Sequence, residues 1–283
     1  MNEVFKITLL GTGSPIFDVN RQHSSVVVEV GGDKILVDCG RGTTTQMLRC
    51  GISPVEVDYI FITHHHFDHI CDLGEFLMSA WHNGHQKPFY IYASRGTAKI
   101  IEALLDKVFA HDLAFSMQAE KGVESLRNLV KFSEIESGSV HVSGNWKVFA
   151  EEVSHGEHLN LPKDEWICFG FRLESGGKAI AVSGDTVACE GLNKLANQAD
   201  CLVQCCYLAE AEITNPAFEY SAKYVIASSG QVGKIAAENK VKKLVLTHFR
   251  PKSEALMQSI LVDVRKDFDG ETILGKDLMT IEI

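Results

Sequence analysis

The chain has 283 residues, 45% hydrophobic and 23% charged, and its 27 Lys and Arg against 37 Asp and Glu leave a formal net charge of −10. That mix excludes a disordered chain, a collagen-like repeat and a coiled coil. The negative balance argues against a protein that works by neutralising nucleic-acid phosphate, and no apolar run approaches the roughly 20 residues of a membrane helix.

Residues 1–6 lack the layout of a signal peptide, and none of the eight cysteines forms a Cys-x-x-Cys pair. Both features predict a cytoplasmic protein with free thiols. Residues 5–10 make an apolar strand closed by the turn signal Gly11-Thr12-Gly13-Ser14-Pro15. Strands at 25–30 and 34–37 follow, joined by a hairpin through Gly31-Gly32-Asp33. The next strand, 58–63, runs straight into a histidine-rich segment. Helical spacing appears at 74–81 and 97–109, where Ile100, Ile101, Leu104, Leu105 and Val108 line one face.

A second set of strands opens near Val140, with 146–153, 166–173, 178–182 and 201–205. Residues 226–239 read as a helix, 243–247 as a strand, 262–268 as a closing helix and 279–283 as a final strand. Two groups of strands, each with its helices, predict two sheets packed together with helices outside. Neither group is large enough to enclose a core alone, so residues 1–283 are expected to form one domain.

Four of the twelve histidines fall within six positions, in Thr63-His64-His65-His66-Phe67-Asp68-His69. His64, His66 and Asp68 recur at period two, so an extended chain turns all three to one side, while His65 faces away. Imidazoles with a carboxylate suit zinc, and also iron or manganese.

This His-x-His-x-Asp-His string after a strand resembles the metallo-β-lactamase superfamily of hydrolases. The superfamily's later motifs occur in order: Val153-Ser154-His155, Ser183-Gly184-Asp185-Thr186 and Leu246-Thr247-His248-Phe249, with an early aspartate in Leu36-Val37-Asp38-Cys39-Gly40. The resemblance implies an α+β fold, a four-layer αβ/βα sandwich of two mixed sheets face to face with helices outside. It implies that His64, His66 and His155 hold one divalent metal ion, that Asp68, His69 and His248 hold a second, and that Asp185 bridges them. Zinc is expected, with Mn2+ or Fe2+ as alternatives. Two such cations acidify a shared water to hydroxide near neutral pH, which attacks an ester. Asp68 then orients or deprotonates the water, and Asp38 supports a ligand from behind.

Within the superfamily, Gly11-Thr12-Gly13-Ser14-Pro15, Asp38-Cys39-Gly40 and Leu246-Thr247-His248-Phe249 resemble the branch of tRNase Z and the arylsulfatase-like enzymes. The His-Glu-Ala-Thr relay of tRNase Z is missing; Gln204-Cys205-Cys206-Tyr207 stands there instead. Only 30 positions separate His155 from Asp185, too few for the tRNA-gripping arm. The expected substrate is therefore a small-molecule ester, a phosphodiester or sulfate ester first and a carboxyl ester or lactone next, with nucleic acid disfavoured as a partner and no membrane association. Alternatives are a tRNA 3′-processing endonuclease and a mono-iron oxidoreductase resembling persulfide dioxygenases. His158 is the candidate acid, and Arg21, His23 and Tyr207 are candidate substrate-binding groups. Residues 161–166 and the aromatic-rich 76–85 are candidate pocket walls, and the resemblance is compatible with a homodimer.

Overall fold

Strands rich in Val and Ile dominate both halves, and each such strand needs cover on both faces. In the computed structural model, which describes residues 5–119, 122–162 and 166–283, that cover comes from two seven-stranded sheets and the helices flanking them. The strands are β1 (Phe5–Gly11), β2 (Ser25–Val30), β3 (Asp33–Val37), β4 (Val57–Phe61), β5 (Phe89–Ala93), β6 (Val130–Glu134) and β7 (Val140–Ser143). They continue as β8 (Trp146–Val153), β9 (Cys168–Ser175), β10 (Lys178–Val182), β11 (Cys201–Cys205), β12 (Lys243–Thr247), β13 (Glu271–Leu274) and β14 (Met279–Glu282).

The first sheet runs β14-β1-β2-β3-β4-β5-β6 and the second β13-β12-β11-β10-β9-β8-β7. Each contains an antiparallel trio (β1-β2-β3 and β8-β9-β10) continued by three parallel strands. The halves therefore repeat one topology, and β14 and β7 each add an antiparallel strand at the start of a sheet.

Period-two alternation explains the layers. Val26, Val28 and Val30 of β2 face the second sheet, in a core with Ile7, Leu9, Phe169, Phe171, Ile180 and Val245. Val27, between them, points the other way to join Leu73, Phe76 and Leu77 of the helix Leu73–His82. In β12, Leu244 and Leu246 pack outward under helices Ser229–Glu238 and Glu254–Val264, while Val245 joins the central core. Burying a side chain the size of Phe171 contributes about 1.5–3 kcal/mol. The α+β sandwich expected from the resemblance is the fold observed.

Some elements differ from the sequence reading. The regular helix from Thr97 ends at Ala103 and passes into a π turn, Leu104–Val108. The wider turn rotates the apolar stripe, so Ile101 and Leu105 are buried but Val108 is 64% exposed. The last helix spans Glu254–Val264 rather than 262–268, and Ser253 Oγ caps it by accepting from Leu256 N at 3.3 Å. Strands β5, β6 and β13 were not foreseen. Among the described residues no helix is long and apolar enough to cross a membrane.

Candidate metal centre

Parallel strands end at one edge of each sheet, and loops leaving those ends face each other across the sandwich. Asp38 follows β3, the histidine-rich segment follows β4, His155 follows β8, Asp185 follows β10 and His248 follows β12. Strand β4 stops at Phe61, two residues earlier than its apolar run suggests, and the chain continues extended to His66 before the short helix Phe67–Ile70. The Ser183-Gly184-Asp185 turn needs glycine at its centre. Gly184 has φ +61°, and a Cβ there would lie 2.7 Å from Phe169 O.

Two groups of donors result: His64, His66, His155 and Asp185, then Asp68, His69 and His248, each with its ligand atoms within 4.8 Å of one another. Hydrogen bonds set the ring orientations. His155 Nδ1 donates to Val225 O at 2.6 Å, turning Nε2 inward. His69 Nδ1 donates to Asp38 Oδ2 at 2.7 Å. His64 Nδ1 lies 2.9 Å from Thr63 Oγ1, whose hydroxyl is 2.9 Å from Asp38 Oδ2, a chain that leaves His64 Nε2 unprotonated.

The inward nitrogens then confront one another. His66 Nδ1 lies 3.0 Å from His64 Nε2 and 3.2 Å from His155 Nε2, and His69 Nε2 lies 3.3 Å from His248 Nε2. Lone pairs so placed repel unless a cation stands between them. A tetrahedral zinc with bonds of about 2.0–2.1 Å sets its nitrogens about 3.3 Å apart, which matches these separations. Asp185 Oδ2 reaches both groups, 3.1 Å from His248 Nε2 and 3.9 Å from His155 Nε2. Buried Asp68 Oδ1, Asp185 Oδ1 and His248 Nδ1 have no hydrogen-bond partner. The donor set fits divalent cations.

The electrostatics agree. Burial, reinforced by neighbouring rings, holds His64 well below the usual histidine range, and burial with His155 pushes His66 down to about 4. Burial also lowers His155. Neutral rings are the form a metal requires. Burial opposes charge at His69 and His248 too, but there Asp185, with Asp38 at the first and Asp68 at the second, prevails and raises both. Carboxylates that draw a proton into this pocket draw a metal cation for the same reason.

The other candidates divide. Asp38 accepts from His69 Nδ1, and His65 faces away, its Nε2 2.7 Å from Thr97 Oγ1. Tyr207 lies beside the centre, its ring 6.2 Å from that of His248. Trp166 covers it, with its ring 4.7 Å from that of His66 and Nε1 donating to His155 O; residues 163–165 of the expected wall lie outside the described residues. Arg21 is not brought to the centre as a free cation. It donates to Thr12 Oγ1 and Gly275 O and stacks on Phe249. His23 is buried against Phe67 with neither ring nitrogen bonded, and burial with nearby Arg41 lowers it to about 4, so it carries no charge to hold an anion. His158 is exposed and packs against Tyr224. Helix Leu73–His82 buries Phe76 and Trp81 in the outer core rather than in a pocket wall. Thr63 and the carbonyl of Val225 were overlooked, since neither a threonine beside a histidine nor a distant backbone oxygen leaves a sequence signal.

Comparison with known proteins places this geometry. The sequence profile of a family described as "Anti-Pycsar protein Apyc1" matches residues 5–255. The ribonuclease Z of Mycobacterium bovis (strain BCG / Pasteur 1173P2) is 30% identical over 290 residues, covering 99% of both chains. Among solved structures, the metallo-β-lactamase fold protein YhfI of Bacillus subtilis superposes with TM-score 0.77 at 17% identity over the full length of both chains. Human tRNase Z, short form, gives 0.72 at 23% identity over 98% of each.

Proposed function

The chain belongs to the family described as anti-Pycsar protein Apyc1 and is a metal-dependent hydrolase of the metallo-β-lactamase superfamily, and we propose that it hydrolyses the phosphodiester bond of a small nucleotide-type substrate. In this reading His64, His66 and His155 would hold one cation, Asp68, His69 and His248 would hold another, and Asp185 would serve both. Two divalent ions, zinc first, supply a nucleophile acidified at neutral pH and charge neutralisation at the phosphoryl oxygens.

The protein's own groups do the rest. Asp68 Oδ1, unpartnered and buried, would align the attacking water and could take its proton. Asp38 keeps the proton of His69 on Nδ1. Trp166 shields the mouth beside His66. The eight free thiols favour the cytoplasm. The observation that carries this reading is the convergence of two adjoining donor groups, with Asp185 Oδ2 within 3.1–3.9 Å of His248, His69 and His155.

Ribonuclease Z relatives bring in a second reading, tRNA 3′ processing, and with it a nucleic-acid partner. That weighs against the expectation drawn from net charge, because a local surface can bind phosphate whatever the total. In favour of a small substrate, Gln204 is fully buried in β11 and offers no proton donor where tRNase Z carries its relay. Purified protein of known metal content would be assayed on bis(4-nitrophenyl) phosphate, cyclic mononucleotides, precursor tRNA, 4-nitrophenyl sulfate, a lactone and a thiolester. Turnover is expected on the small phosphodiesters. Cleavage of precursor tRNA alone favours the second reading, and turnover of the thiolester alone refutes both.

A further inference from the structure

Two residues beyond His248, the chain places a guanidinium that neither the motif pattern nor the fold requires. Phe249 is fully buried, tied by its N–H to Thr12 O at 2.9 Å, so Arg250 projects away from the core. The guanidinium carbon lies 5.0 Å from the centre of the Phe218 ring and 5.6 Å from that of Tyr207. Tyr207 in turn stands 6.2 Å from the ring of His248. Tyr207 thus contacts both Arg250 and a ring of the candidate metal centre, and the Arg250 side chain is 27% exposed.

Aromatic contacts hold this cation while leaving its donors unspent. Its Nε is buried without a hydrogen-bond partner, and among the described residues the one carboxylate within ion-pair distance is Glu212, at 3.9 Å. Glu212 is already engaged, by the fully buried side chain of Lys252 and by Ala209 N at 2.9 Å. Lys252 also donates to Tyr207 O at 2.8 Å, fixing the backbone that carries the stacking ring. Lys252, Glu212 and Arg250 sum to one positive charge beside a cluster that contains two carboxylates. Stacking sets the plane of a guanidinium, and a planar fork with free N–H groups matches two oxygens of a phosphoryl group.

We propose that Arg250, clamped between Tyr207 and Phe218, is a substrate-binding residue that grips the non-bridging oxygens of a phosphodiester and selects anionic esters over neutral ones. The assignment rests on the phosphodiesterase reading given above. Tyr207 and Phe218 act as positioning residues, and Lys252 with Glu212 forms the base on which they stand.

The test compares wild type with Arg250→Gln, Arg250→Lys and Phe218→Leu on bis(4-nitrophenyl) phosphate and on neutral 4-nitrophenyl acetate, with bound metal counted in every sample. Losing a charged hydrogen bond predicts a KM for the phosphodiester raised roughly 10- to 100-fold in Arg250→Gln. The acetate KM and metal content are expected to be unchanged. Arg250→Lys should recover part of the loss, and Phe218→Leu should fall between lysine variant and wild type. Titration with inorganic phosphate, followed by calorimetry, reads the same contact without turnover, and Arg250→Gln should weaken it by a similar factor. A wild type that binds phosphate but turns over no phosphodiester overturns the reaction reading, and the grip stands if Arg250→Gln weakens that binding. Phosphodiester KM and phosphate affinity both within twofold of wild type in Arg250→Gln overturn the proposal itself.

Discussion

Asp38 Oδ2 lies 2.7 Å from Nδ1 of His69, and the same carboxylate accepts from Thr63 N at 2.8 Å. One buried side chain therefore ties the end of β3 to the end of β4 and orients a ring of the metal centre. It does so from a left-handed backbone position, φ +61°, that aspartate tolerates better than most residues.

Replacing Asp38 by alanine removes that orientation. Loss of such a supporting carboxylate typically weakens metal affinity 10- to 100-fold. Elemental analysis after dialysis against a mild chelator is expected to find about one metal per chain in the variant and about two in wild type. Equal retention would count against the role assigned to Asp38.

Stripping the metal should destabilise the fold as well as stop turnover. Without a cation the lone pairs of His64, His66 and His155 crowd one another, and only protons on His69 and His248 offset the carboxylates Asp68 and Asp185. At metal 100-fold above its dissociation constant, binding contributes about 2.7 kcal/mol. That corresponds to a Tm roughly 5–10 °C higher than in chelator-treated protein, restored by added zinc. Identical melting curves would show that the centre holds no ion tightly.

At Gly184 even a methyl group should be costly. The residue has φ +61°, and the new Cβ would press on Phe169 O and lie 3.1 Å from Thr63 Cβ. Gly184→Ala is expected to lose about 1–3 kcal/mol in urea unfolding. Because Asp185 is adjacent, metal content should fall with it.

His23 yields a pH-dependent prediction. Its folded value of about 4, set by burial and then by Arg41, lies below the 6.5 of an unfolded chain. Between those values the unfolded state binds more protons, so this contribution to stability is intact above pH 6.5 and is lost as pH falls toward 4. Urea unfolding at pH 7.5 and 5.5 should show a larger acid loss in wild type than in His23→Leu. The variant should keep its phosphodiester KM within twofold, because a neutral ring contributes little to anion binding.

Local pattern made some of this legible in advance. Period two put His64 and His66 on one side of an extended chain, whereas Asp68 reaches the centre from the helix Phe67–Ile70, and apolar runs marked the strands of both antiparallel trios. His155, Asp185 and His248 have no such local signature and were found by resemblance. Strands β6 and β13 border the sheets, where partial exposure mixes polar and apolar residues and erases the alternation. Val108 was misplaced because a π turn inserts one residue into a stripe that sequence spacing reads at 3.6.

What the chain's order of residues determines by itself is therefore the type of layer and the chemistry of the donors, because backbone periodicity and side-chain identity act over a few positions. Which donors meet was decided only by tertiary structure. Donors as far apart in the chain as Asp68 and His248, 180 positions, converge because two sheets pack face to face with their strand ends at one edge. The same packing pinned Arg21 to Gly275, turned His158 toward Tyr224 and set Arg250 between two rings. Charge and shape at that edge come from neighbours distant in the chain, and short-range pattern carries no record of them.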